Sequence, residues 1–136
     1  MNITVQEKKA LEASIAMLTN LLHQGKFSTV LASSEQILNS YPHSEGVLVC
    51  NLAARSSLEG IVDKSERMEF LKQSIKFVDA ALIWAKEKRH LMYYYKGLWH
   101  LVIGEKDTAK QSFKAAIHHN PNFDIAEKML KGMESD

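Results

Sequence analysis

Leu11, Ile15, Leu18 and Leu22 follow one another at steps of four, three and four, the apolar stripe of an amphipathic helix. Just ahead of them, Thr4-Val5-Gln6-Glu7 has capping-box spacing, with Thr4 as N-cap and Glu7 reaching back to it. His23-Gln24-Gly25-Lys26 makes a short turn. Phe27, Val30, Leu31, Ser34 and Leu38 then mark a second helix, and Tyr41-Pro42 ends it, because a proline disfavours helical backbone in the residue before it.

Ser44 stands where it can cap a third helix carrying Val47, Leu48, Leu52 and Leu58, and Gly60 breaks or ends that helix. Asp63-Lys64-Ser65-Glu66 repeats the capping-box pattern and predicts a long fourth helix, from about Lys64 to about Lys88. Met68, Leu71, Ile75, Val78 and Leu82 form one apolar row on it, and Phe70, Phe77, Ala81 and Trp84 a second. So broad an apolar surface predicts burial against more than one neighbour. A fifth helix starts near His90 and carries Tyr94, Tyr95, Leu98, Leu101 and Val102. A sixth, after the turn Gly104-Glu105-Lys106-Asp107, holds Ala109, Phe113, Ala116 and Ile117 up to Asn120-Pro121. A last one carries Phe123, Ala126, Met129, Leu130 and Met133. The two-residue alternation of a strand is not a feature of the chain.

With 136 residues the sequence fits one domain, and with only two prolines and six glycines it favours long helices over an all-β fold. Seventeen basic and sixteen acidic side chains leave a net charge of +1, without the concentrated basic surface expected of a nucleic-acid binder. Cys50 is the single cysteine, so no internal disulfide can form, and a reducing, cytoplasmic compartment is expected. The first nine residues lack the basic-then-apolar order of a secretory signal. The longest charge-free stretch, from Ala13 to Gly25, is too short for a membrane span.

Two segments align without a gap. Gly25 to Pro42 and Gly104 to Pro121 are both steps of seventeen residues, and the two frames lie 79 positions apart. That shift equals one repeat of about 34 residues, the tetratricopeptide period, plus a second repeat lengthened by about 11. Tyr93, Gly97, Ala109, Phe113, Ala116 and Pro121 stand where the tetratricopeptide family places its aromatic, small, small, aromatic, small and proline residues, so the segment resembles a member of that family. In the first frame Gly25, Phe27 and Pro42 are kept, while Val30, Ser34 and Ile37 replace the small-aromatic-small set; the middle segment retains little beyond its helical pattern and Ala81. The resemblance implies an all-α fold, a right-handed superhelix of three helical hairpins in a single domain spanning 1–136. The repeats run over about 6–42, 44–88 and 90–121, with a capping helix over about 122–134 that such arrays need.

The resemblance further implies a protein-binding role rather than an enzymatic one. The first helix of each hairpin would line a concave groove, with Ile15, Thr19, Val49, Cys50, Tyr94, Tyr95 and Leu98 as its partner-binding residues, for an apolar or amphipathic segment of a partner protein. Large rigid tyrosines suit such contacts. The family's clamp for acidic chaperone tails, built from Lys, Asn and Arg, is replaced here by Ile15, Thr19, Cys50, Leu91 and Tyr95. The family's small secretion chaperones, which hold apolar segments of export substrates, match the groove character better. A structural subunit acting through its outer faces is the alternative, and the lengthened middle repeat, with Met68, Phe70 and Leu71, offers a surface for a homodimer or a second protein.

Candidate chemistry adds little. Cys50 sits in the apolar run Val47-Leu48-Val49-Cys50-Asn51-Leu52, a setting for an inert thiol rather than a nucleophile. Of the six histidines only His118 and His119 are close, and adjacent helix positions diverge by about 100°, so no metal site is expected. Tyr93-Tyr94-Tyr95 with Trp99 lacks the basic groove of a base-stacking platform. Neither a phosphate-binding glycine loop nor an acyl-transfer serine motif is present, and no catalytic residue or cofactor is expected.

Overall fold

A computed structural model of the chain describes residues 3–60 and 62–134. The described residues are helical with no strand: α1 (Val5–His23), α2 (Phe27–Ser40), α3 (Glu45–Leu58), α4 (Lys64–Leu82), α5 (Arg89–Ile103), α6 (Lys106–His119) and α7 (Asp124–Glu134). They fall into two compact units, residues 1–58 and 59–136. The division lies between α3 and α4, inside the segment expected to form the middle repeat.

The first unit holds α1 to α3. Thr4 opens α1 through a complete capping box: its hydroxyl accepts the Glu7 amide at 3.0 Å, and the Glu7 carboxylate accepts the Thr4 amide at 3.2 Å. The other Glu7 oxygen accepts the Tyr41 hydroxyl at 2.8 Å, tying the start of α1 to the end of α2. Leu18, Val30, Val47, Cys50 and Ala54 form the core, with Leu11, Ile15, Leu22 and Ile37 packed around it. A polar chain, buried at Ser34 and Asn51 and reaching the surface at Glu35, joins α2 to α3. Asn51 Nδ2 donates to Ser34 Oγ at 2.9 Å, Arg55 Nε donates to Asn51 Oδ1 at 2.7 Å, and Arg55 Nη2 meets Glu35 Oε1 at 3.3 Å.

The second unit holds α4 to α7. The fourth helix is shorter than the apolar rows predict: it stops at Leu82, not near Lys88, and its 19 residues equal the length of α1. The ending has a local cause. The amides of Ile83 and Trp84 turn back to acceptors only three residues away, at 3.3 and 3.2 Å, which tightens the last turn. The Arg89 guanidinium then takes the carbonyls of Leu82 and Ala85, acceptors a helix end leaves without intrahelical partners. Trp84, read as part of a helical row, therefore lies in the turn. Asp63 does occupy the N-cap of α4, but its side chain makes no capping bond, so the second capping box does not form. Met68 is exposed, while Leu71, Val78, Ala81 and Leu82 are buried. The Lys96 ammonium reaches from α5 to Asp79 on α4 at 2.7 Å.

The two glycine–proline frames share their turn geometry. Gly25 and Gly104 both take left-handed backbone, with φ of 76° and 98°, the conformation a helix C-terminus assigns to glycine. After each, the next amide reaches five residues back, Lys26 to Leu21 and Glu105 to His100, at 3.0 and 2.9 Å. At the other end the amides of Tyr41 and Asn120 close on Ile37 and Ala116, and those of Ser44 and Phe123 on Tyr41 and Asn120. Thus α3 follows the first frame as α7 follows the second.

In the helix pairs joined at the two frames the volumes are exchanged. Leu18 and Ser34 are both fully buried in the first. Their counterparts 79 positions on are Gly97 and Phe113. The large residue sits on the first helix in one hairpin and on the second helix in the other. A Cβ placed on Gly97 would lie 2.7 Å from Phe113 Cε1, so the α5 backbone rests on the ring itself.

Candidate protein-binding surfaces

The seven residues expected to line a groove are divided between the two units, three helices carrying them. On α1, Ile15 packs against the core of the first unit. It lies under the first turn of α3, where a Cβ on Gly46 would come within 2.5 Å of its Cδ1. Thr19 is half-buried and donates its hydroxyl back to the Ile15 carbonyl at 2.8 Å, so its polar end is turned to its own helix. On α3, Val49 is half-buried and Cys50, 6 % exposed, belongs to the core.

On α5, Tyr94 touches Phe113 of α6 (ring centroids 6.1 Å apart), Phe123 ahead of α7 (5.5 Å) and Tyr95 (5.5 Å). Burial pushes its phenol above the ordinary tyrosine value of 10.0, since a desolvated phenolate is disfavoured. Leu98 packs with Met129, Leu130 and Leu101 on the cluster of Ala109, Phe113 and Met133. The last helix thus packs over the face carrying Tyr94 and Leu98. Tyr95 remains half-buried and stacks on Trp99 at 6.1 Å.

Ile15 and Tyr94 are themselves counterparts, 79 positions apart, and each is met by the segment entering the helix after its frame, α3 or α7. On α1, Ala16, which follows Ile15, is exposed, as are Met17 and Asn20.

Two features were not read as sites from sequence. A shallow cleft of about 300 Å³ opens between α1 and α2, lined by Leu11, Ser14, Ile37 and the hydrogen-bonded pair of Glu7 and Tyr41. That bond, with those from Thr4, holds the Glu7 carboxyl below its ordinary value of 4.5. The second feature is a cluster of histidines and Arg89 at one end of the α5–α6 hairpin. His119 stacks on Tyr93 at 5.4 Å and 9°, His118 stands edge-on to it at 5.4 Å, and Arg89 lies over the Tyr93 ring at 5.6 Å. Burial lowers the His119 pKa from the ordinary 6.5, and Arg89, His118 and His90 lower it further. His90, against Phe123 at 5.1 Å, is lowered by burial and by Lys88. No signal in the hydrophobic pattern marks either feature, because both depend on which helix ends meet.

Among the described residues no three His, Cys, Asp or Glu side chains come together in a way that could hold a metal ion, and no helix is long and apolar enough to cross a membrane. Comparison with protein-family models, curated proteins and solved structures finds no match to this chain.

Proposed function

We propose that this chain is a non-catalytic protein-interaction module of tetratricopeptide type, a right-handed superhelix of three helical hairpins closed by α7, that holds an apolar or amphipathic segment of a partner protein and works in the cytoplasm. The observation that carries the reading is the α5–α6 hairpin. Gly97 rests on Phe113, and Ala109 and Ala116 are fully buried beside it; small residues at these places let two helices approach, the packing the repeat requires. The shared turn bonds of the two glycine–proline frames support it further.

The reading is tested with a partner identified by affinity capture on the intact chain and then purified. Ala16→Glu on α1 and Tyr95→Ala on α5 are expected to weaken its binding at least tenfold while circular dichroism stays unchanged. Unchanged affinity in both folded variants would refute a groove on the first helices.

One observation favours a second reading, a structural subunit acting through its outer faces. Met129, Leu130 and Met133 of α7 already pack with Tyr94 and Leu98 on Phe113, so part of the expected lining is filled by the chain's own last helix. Retained partner binding in those variants, with loss on substitution of outer residues, is the outcome that reading expects.

A further inference from the structure

The outer side of α6 carries Lys106, Lys110, Lys114 and His118 at successive steps of four. Lys106, Lys114 and His118 are exposed and Lys110 is half-buried. Ala109, Ser112, Phe113 and Ala116 of the same helix are buried. Each four-residue step advances about 40° round a helix, so the three lysines and His118 form one slanting row about 18 Å long that turns about 120° away from the edge of the buried side. None of the four is in an ion pair among the described residues, and Asp107 is the only acidic residue on the helix.

Helix stability does not account for the row. Lys106 lies in the first turn, where the helix dipole favours anions and disfavours cations. Nor does the repeat frame demand it. The counterparts 79 positions earlier on α2 are Phe27, Leu31, Glu35 and Asn39, without a single cation. The row ends beside the cluster of His119, Arg89 and His90, where Arg89 and the neighbouring histidines oppose protonation of His119.

We propose that this face of α6 docks a short acidic segment of a partner protein, whose carboxylates pair with Lys106, Lys110, Lys114 and His118. Charge complementarity sets the class of partner. The row is one helix wide, and a chain with a net charge of +1 has no broad basic field to hold a long polyanion. The surface is separate from the groove, so it stands or falls apart from the superhelical reading.

The test uses the full chain and a fluorescein-labelled octaglutamate peptide, followed by fluorescence anisotropy at low salt. Binding is expected, weakening as salt screens it. The triple variant Lys106→Gln, Lys110→Gln, Lys114→Gln is expected to lose about tenfold in affinity, since three exposed pairs are removed. The matched control Lys64→Gln, Lys72→Gln, Lys76→Gln on α4 is expected to lose less than twofold. In NMR titrations the peptide is expected to raise the pKa of His119. Absence of peptide binding, an equal loss in the control, or an unmoved His119 would overturn the proposal. So would tighter binding of duplex DNA or phosphatidylserine vesicles that the same triple variant abolishes.

Discussion

Gly97 and Phe113 are locked together: the ring of one lies against the backbone of the other so closely that a single methyl at position 97 would fall 2.7, 2.9 and 3.0 Å from three ring atoms. Phe113 is fully buried and closed in on its other sides by Met133 and its neighbours, so the ring has little room to retreat.

Gly97→Ala should therefore destabilise the chain even though alanine is the better helix former. Overpacking costs about 1–3 kcal/mol and the propensity gain returns about 1, leaving a net loss of up to about 2 kcal/mol in urea unfolding. Gly97→Ala combined with Phe113→Leu should cost less than the sum of the two single substitutions, because the smaller side chain makes room for the methyl. Additive losses would show that the two residues do not share the contact.

Asn51→Ala removes both the donor to Ser34 and the acceptor of Arg55 Nε at a fully buried position. Leaving buried polar groups short of a partner costs about 1–3 kcal/mol, so a loss near the top of that range is expected. Ser34→Ala should cost less, since Asn51 keeps its bond from Arg55. Denaturant midpoints of the two variants provide the comparison.

The lowered pKa values of His119 and His90 give stability a pH dependence of definite sign. The unfolded chain takes up protons near 6.5 that the fold resists. Stability should therefore fall as pH drops from 6.5 through the lowered folded values. Thermal melts across that window should show the decline, and His119→Gln should make it shallower.

Met133→Ala should loosen the last helix. The side chain is 6 % exposed and packs with Ala109 and Phe113, and truncating a buried methionine costs about 2–5 kcal/mol. A value of about 2 is expected for a residue this close to the end of the described chain. Amide hydrogen exchange should quicken in α7 and around Tyr94 and Leu98, and stay unchanged in α1.

The helices and most of their ends are legible in the amino-acid pattern. Thr4 with Glu7, Gly25, Gly104, Pro42 and Pro121 act through bonds that reach five residues or fewer, so their effect could be read in place. Two ends lie outside that reach: α4 ends at Leu82 where Arg89, seven residues on, takes the released carbonyl, and Asp63 has a capping spacing without the capping bond.

What each apolar position meets is set by the folded chain. Periodicity marks Cys50, Leu98 and Tyr94 as apolar or aromatic without saying which neighbour arrives, and the core of the first unit takes the thiol while α7 packs over the other two. The exchange of volume between Leu18 with Ser34 and Gly97 with Phe113 is equally silent in the pattern. Hydrogen bonding along a helix is settled within a turn or two, whereas close packing is settled by the summed shape of side chains from helices far apart in the chain.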